Sequence, residues 1–199
     1  MLKSFEGMNK ASLATGQRAL IAWYRENQRS LPWREAPNPY AVWLCEIIMQ
    51  QTRIEQGLKY WNKFINTWAD VHALAKAPLD DVLRAWQGLG YYSRARNLHR
   101  AAQTIAFERD GQFPVTAVEW REMPGVGAYT AAAIASICHN ESIAAVDGNV
   151  LRVVSRYLDI QEPIDRPIGR NQVDAFASEW IRAEDAGTHN QAVMELGAL

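Results

Sequence analysis

Met123-Pro124-Gly125-Val126-Gly127-Ala128-Tyr129-Thr130-Ala131-Ala132-Ala133-Ile134 lies between two helical patterns, and its reading decides the fold. Gly125 and Gly127 permit positive φ and let the backbone approach a ligand closely. A helix of small residues is predicted just after them, from about Ala128 to Cys138. The free N–H groups of its first turn, together with its dipole, suit a phosphate oxygen. Ala131-Ala132-Ala133 lets that helix pack tightly on its partner. The bland reading is an interhelical turn with a glycine C-cap. Two glycines placed directly before a small-residue helix favour a phosphate clamp over that reading.

Outward from this turn the pattern stays helical. Periodicity predicts helices over about 12–28, 40–51, 53–68, 71–76, 79–87, 91–110, 117–122, 148–158, 172–183 and 190–196, with breaks at Leu31-Pro32-Trp33-Arg34, Pro37-Asn38-Pro39 and Gly88-Leu89-Gly90. No alternating β-branched run is long enough for a sheet, so the fold class is all-α. A chain of 199 residues makes one ordinary domain or two small ones. With 48% hydrophobic and 22% charged residues it has the composition of a folded globular protein, not a disordered one. No apolar run reaches the roughly 18–20 residues of a membrane span, and Met1–Lys10 lacks the apolar centre of a secretory signal.

Cys45 and Cys138 each sit in an apolar stretch without a C-x-x-C neighbour, so they read as buried thiols of a reducing compartment, and no metal ligand set is predicted. The net charge of −1 hides an asymmetry. Residues 1–100 carry 14 Lys/Arg against 8 Asp/Glu, and residues 101–199 carry 7 against 14. The basic half fits either a phosphate-facing surface or ordinary solvated surface. Eight tryptophans in so short a chain suggest that some do more than fill a core.

Two carboxylates stand in unusual places. Glu46 is surrounded from Val42 to Met49 by apolar residues, so no helix rotation gives it an ordinary charged face. Desolvation there is expected to raise its pKa, as a general acid requires; a structural Glu paired with a buried Arg is the rival reading. Gln50, Gln51 and Thr52 supply polar groups at the same helix end. Asp147, in Ala144-Ala145-Val146-Asp147-Gly148-Asn149-Val150, precedes a predicted helix and reads first as an N-cap. A capped carboxylate can also stabilise a cation, and a proton-donating carboxyl with an ionised one is the pair that glycosidic bond cleavage uses.

Together with Leu31-Pro-Trp-Arg34, Pro39-Tyr-x-Val-Trp-Leu-x-Glu-Ile-Ile-Met-Gln-Gln-Thr52, Trp86-x-Gly-Leu-Gly-Tyr-Tyr-x-Arg-Ala-Arg-Asn-Leu98 and Asn190-Gln-Ala-x-Met-Glu-Leu-Gly-Ala198, these segments resemble the helix–hairpin–helix DNA glycosylases. Within them the match is to the adenine DNA glycosylases of the MutY type, from about residue 18 onward. The resemblance implies a two-lobed fold with the active site in the cleft. One lobe is a six-helix barrel, 29–146, with the helix–hairpin–helix at about 117–138; the other joins 1–28 to 147–199, truncated before the family's iron–sulfur loop. It implies removal of adenine mispaired with guanine or 8-oxoguanine in double-stranded DNA, after flipping the base from the duplex.

By that resemblance Glu46 protonates the adenine ring, Asp147 stabilises or captures the sugar cation, and Tyr129 and Asn149 assist. Leu31, Trp33, Arg34 and Gln191 line the adenine pocket; for Leu31 and Trp33 alone, core packing is the plain alternative. Gln51, Leu89 and Tyr91 enter the duplex at the mispair, and Arg29, Thr52, Gly125, Val126 and Gly127 contact DNA. Relatives that also nick the strand, such as endonuclease III, carry a Lys at the Tyr129 position, and Tyr cannot form an imine. A monofunctional enzyme is therefore expected. A thymine-mismatch glycosylase shares the Tyr, but Glu46 suits a purine that accepts a ring proton. The resemblance implies a [4Fe–4S] cluster held by four cysteines that these 199 residues do not contain, and a Nudix-like domain that reads 8-oxoguanine, which is expected to lie outside them. A DNA-binding fragment without turnover is the second expectation. A monomer in the cytoplasm, nucleoid-associated if bacterial, is expected.

Overall fold

A computed structural model describes residues 10–199, and the Met1–Lys10 reading falls, but for Lys10, outside the described residues. The elements are α1 (Lys10–Asn27), α2 (Pro32–Glu35), α3 (Pro39–Ile48), α4 (Ile54–Thr67), α5 (Val71–Lys76), α6 (Leu79–Trp86), α7 (Ser93–Gln103), α8 (Ala117–Trp120), α9 (Ala128–His139), α10 (Gly148–Tyr157), α11 (Pro167–Trp180) and α12 (Ala186–Ala198). A π-helical turn, Thr104–Glu108, prolongs α7, and a 3-10 turn, Ala183–Asp185, precedes α12. Among the described residues there is no strand, in keeping with the all-α expectation.

Several boundaries differ from the periodicity, and three of them have plain local reasons. Pro32, read from the sequence as part of a break, begins a helix, as Pro167 also does, because each occupies the first helical turn, where a missing N–H costs nothing. Helix α11 consequently starts five residues earlier than the 172 read from the sequence. Helix α12 starts at Ala186, where Asn140 Oδ1 accepts the Ala186 N–H at 2.7 Å.

The chain forms two compact units. One is Leu31–Ile134; the other joins the described part of Met1–Ser30 to Ala135–Leu199. The division falls inside α9, whereas the sequence suggested a lobe running to 146. Beyond Ala135 the chain is bonded to later residues: Asn140 Nδ2 donates to the Ala183 and Glu184 carbonyls, both at 3.2 Å.

In the Leu31–Ile134 unit, Trp43, Phe64, Trp86 and Trp120 are fully buried with Ile48, Leu74, Leu98 and Ile105. Phe64 meets Trp86 edge to face at 5.8 Å, and Phe113 meets the Trp43 edge at 6.3 Å. Such pairs add about 0.5–1.5 kcal/mol each beyond area burial. Seven of the eight tryptophans are buried, Trp23 being half-buried. These seven tryptophans build the core, where the sequence suggested that some do more than fill it.

In the other unit, α1 presents Leu13, Leu20 and Tyr24 to Val150 and Val154 of α10, Val173, Phe176 and Trp180 of α11, and Ala192 and Val193 of α12. Trp180 stacks on Tyr157 at 5.8 Å and meets His189 edge-on at 4.9 Å. His189 is 2% exposed, and its Nδ1 is buried without a hydrogen-bond partner. Burial is the main cause that pushes its pKa down from 6.5 to about 4; Asp185 pulls upward and Arg182 downward.

The folded state thus keeps His189 neutral, while the unfolded chain takes up a proton as pH falls through 6.5. Stability is full above 6.5 and declines toward pH 4. We expect urea unfolding to show a loss of up to about 3 kcal/mol between pH 7 and pH 4 from this group. His189→Phe should remove that part of the pH dependence. An identical pH profile for the variant would show that other groups carry it.

Candidate functional site

Helix α10 needs partners for its first N–H groups, and Asp147 supplies them. Its Oδ1 accepts from Asn149 N at 3.0 Å and Val150 N at 2.8 Å; its Oδ2 accepts from Asn149 Nδ2 at 2.8 Å. The N-cap reading therefore holds, and the Asn149 side chain adds a donor that capping alone does not need. Asn149 is held from behind. Its Oδ1 accepts from Arg152 Nη1 at 3.3 Å, and Arg152 Nη1 also donates to the Gly197 carbonyl. Gly197 must be glycine, because a Cβ there would lie 2.5 Å from the Asn149 carbonyl oxygen. The last turn of α12 thereby fixes the pair Asp147–Asn149.

Glu46 lies on α3, where it is the one residue from Tyr40 to Ile48 that is not buried. It is half-buried rather than enclosed. Its field reaches the neighbouring Cys45 thiol, whose pKa is raised chiefly by burial, then by Glu46, and opposed by Arg34. Glu46 and Arg34 thus share one electrostatic neighbourhood. One turn beyond Glu46, Gln50 Nε2 donates to Thr130 Oγ1 at 3.5 Å, which ties the end of α3 to the first turn of α9, next to Tyr129.

That first turn is the phosphate-facing candidate. Gly127 takes the N-cap position, its carbonyl accepting from Ala131 N at 2.9 Å. Gly125, Gly127 and Ala128 are exposed, and Val126 is buried at 8% as the anchor of the turn. Gly125 has φ +78°; Gly127 does not have positive φ, which corrects the expectation for that glycine. Upstream, Thr116 and Glu119 form a reciprocal capping box that starts α8.

Gln51 and Tyr91 are both exposed, both adopt left-handed backbone (φ 55° and 45°), and both line one open depression of about 420 Å³ with Gln50, Ser93 and Arg94. Leu89, by contrast, is 8% exposed and belongs to the core in this state, which corrects its expected place beside them. Thr52 is half-buried and donates to the Gln50 carbonyl at 3.3 Å. Leu31 and Trp33 are buried, Trp33 against Trp61 at 5.4 Å, so packing accounts for both. Gln191 is half-buried, accepting from Tyr24 Oη at 3.4 Å and donating to the Gly187 carbonyl at 3.3 Å.

Arg29 has a structural partner. Its Nε and Nη2 donate to Glu195 Oε1 and Oε2 at 2.6 and 2.7 Å, and its backbone N donates to Oε1 at 3.1 Å. Glu195 is 2% exposed, so removing Arg29 would take a bidentate partner from a buried carboxylate. Arg29 therefore carries a structural role beside the expected DNA contact, its side chain being 44% exposed.

Two cysteines cannot supply the four thiolates of a [4Fe–4S] cluster. Among the described residues no group of three or more His, Cys, Asp or Glu could hold a metal ion. Two residues with evident structural weight were given no role by sequence reasoning. Arg94 donates to five carbonyls, and Asn190, 3% exposed, bonds to Ser136 Oγ, the Ile143 carbonyl and the Ala145 N–H. For Asn190 the available signal was a polar side chain within a helix that buries most of its residues.

A match to the family described as "HhH-GPD superfamily base excision DNA repair protein" covers residues 44–181. The adenine DNA glycosylase of Rattus norvegicus is 38% identical, over 94% of this chain and 38% of that protein. The Homo sapiens adenine DNA glycosylase is 38% identical, over 90% of this chain and 35% of that protein. The chain thus spans well under half the length of these curated relatives. Among solved structures, a thermostable thymine-DNA glycosylase superposes with a TM-score of 0.83 at 21% identity, over 94% of this chain and 86% of that one, a likeness of fold.

The two glycines of the turn should respond differently to alanine. A Cβ on Gly125 would meet Asn97 Cβ at 2.7 Å in a left-handed backbone, whereas nothing lies within 4 Å of one on Gly127. Gly125→Ala is expected to cost at least about 1 kcal/mol in chemical denaturation. Gly127→Ala should stay within about 0.5 kcal/mol of the parent. Equal costs would place the strain elsewhere in the turn.

Proposed function

The chain belongs to the HhH-GPD superfamily of base excision DNA repair proteins, and from that membership we propose that it hydrolyses the N-glycosidic bond of adenine mispaired with guanine or 8-oxoguanine in double-stranded DNA. The observation that carries the reading is the Asp147–Asn149 arrangement: a carboxylate with donors on both oxygens, set at a helix N-terminus. It is suited to stabilise a positively charged sugar. The Leu31–Ile134 unit is read as the six-helix barrel lobe of the family.

In this mechanism the Glu46 carboxyl donates a proton to the adenine ring, which turns the base into a neutral leaving group. The glycosidic bond breaks, and Asp147 stabilises or captures the sugar cation at C1′. Water completes the hydrolysis at C1′. Asn149 orients Asp147, and Tyr129 stands beside the phosphate-facing turn. Without an amine at position 129 no imine forms there, and the reaction stops at the abasic site. Arg34 and Gln191 are read as polar groups that address the base, with Leu31 and Trp33 packed as their support. Gly125, Val126 and Gly127 hold the phosphate backbone without regard to sequence, and Gln51, Thr52 and Tyr91 address the mispair.

Adenine release from a duplex carrying one A:G mispair tests this directly. Glu46→Gln should lower release by about 10²–10⁴-fold while duplex binding persists. Release at the parental rate would make Glu46 structural. If the parent chain binds duplex and releases nothing, the DNA-binding reading replaces the enzymatic one. Gly127→Ala should weaken mispaired and matched duplex alike, because its methyl stands where a phosphate approaches; a loss confined to mispaired DNA would contradict the clamp.

A further inference from the structure

Arg94 is half-buried at the start of α7, and its guanidinium spans two separate turns. Nη1 donates to the carbonyls of Ile47 at 3.1 Å, Ile48 at 3.3 Å and Gln50 at 2.6 Å. Nη2 donates to the carbonyls of Leu89 at 3.0 Å and Gly90 at 3.4 Å. The first three are the C-terminal carbonyls of α3 and its following turn, where a helix leaves acceptors without partners and a cation is favoured. The guanidinium also lies over Trp86 at 5.1 Å and Tyr91 at 5.8 Å.

The two turns that Arg94 joins are those that present Gln51 and Tyr91. Each of these residues holds a left-handed backbone, and neither is glycine. That conformation costs about 1–3 kcal/mol per residue and persists only where surrounding contacts enforce it. Arg94 is the side chain that donates to both turns. Gln50, Gln51, Tyr91, Ser93 and Arg94 then line the same open depression.

We propose that Arg94 is a positioning residue that locks the Gln51 and Tyr91 turns into one rigid probe, so that the two side chains meet a mispaired duplex in a fixed relation. The proposal rests on the reading above for what the probe touches. Lysine cannot replace arginine: an ammonium has three donors at one point, whereas the planar guanidinium presents separate donor edges to two turns. Fixing the end of α3 also fixes the helix that carries Glu46.

The experiment compares the parent with Arg94→Lys and Arg94→Met. One probe is a short duplex with 2′-fluoro-2′-deoxyadenosine opposite guanine, which resists glycosidic cleavage; the control is the same duplex with that adenosine opposite thymine. Amide hydrogen exchange of the free protein is measured alongside. Arg94→Lys should speed exchange in residues 50–52 and 88–92 together, leaving α10 unchanged. Its preference for mispaired over matched duplex should fall by about tenfold, with matched-duplex affinity within about twofold of the parent because the phosphate clamp is intact. If Arg94→Met does not fold, the lysine variant carries the test. Unchanged exchange in the two turns overturns the proposal, as does an unchanged preference in a folded Arg94→Lys chain when the parent discriminates. A parent that shows no preference sinks the mispair reading instead, and exchange in the two turns still decides whether Arg94 locks them.

Discussion

The segment from Glu141 to Val146 has no regular secondary structure, yet Ala145 and Val146 are buried. A buried irregular segment must find a partner for every backbone group or lose about 1–3 kcal/mol for each one stranded. Asn190 meets that demand from α12. It accepts from Ala145 N at 3.1 Å and donates to the Ile143 carbonyl at 2.9 Å, while Ser136 Oγ accepts its second donor contact at 2.9 Å. Arg170 Nη2 adds a further contact, donating to the Val146 carbonyl at 3.0 Å. Asp147 is the next residue, so its place at the head of α10 depends on this buried amide.

The two candidate carboxyl groups are built by opposite means. Asp147 is defined by donors: two backbone N–H groups and the Asn149 amide. Glu46 is placed by packing: the other residues of α3 from Tyr40 to Ile48 are buried, and it alone among them is half-buried. The aromatic core supports the second arrangement by holding α3 rigid. Trp61 Nε1 donates to the Ala41 carbonyl at 3.0 Å, and Tyr40 Oη donates to the Trp68 carbonyl at 2.7 Å.

The exposed turns rest on the same core. Trp86 is fully buried, donates from Nε1 to the Gly90 carbonyl at 2.9 Å and lies under the Arg94 guanidinium. Tyr60 Oη donates to the Gln87 carbonyl at 2.8 Å. A strained turn on a rigid floor keeps its side chains in place without a partner present, which lowers the ordering cost of binding.

The sequence by itself determined the all-α class, most helix positions, the glycine turn before α9 and the capping of α10 by Asp147, because each depends on residues within a few positions of one another. Helix period, positive φ and an N-cap are local properties, and a chain carries them wherever it folds. Tertiary structure decided the rest. It made Leu89 core and left Tyr91 exposed two residues away, tied Arg29 to Glu195, and gave Arg94 and Asn190 their weight. Arg94 and Gln50 are 44 residues apart, and Asn190 and Ser136 are 54 apart. Whether a polar side chain is a solvated surface group or the sole partner of a buried carbonyl depends on which distant backbone comes to rest beside it, and no local pattern encodes that meeting.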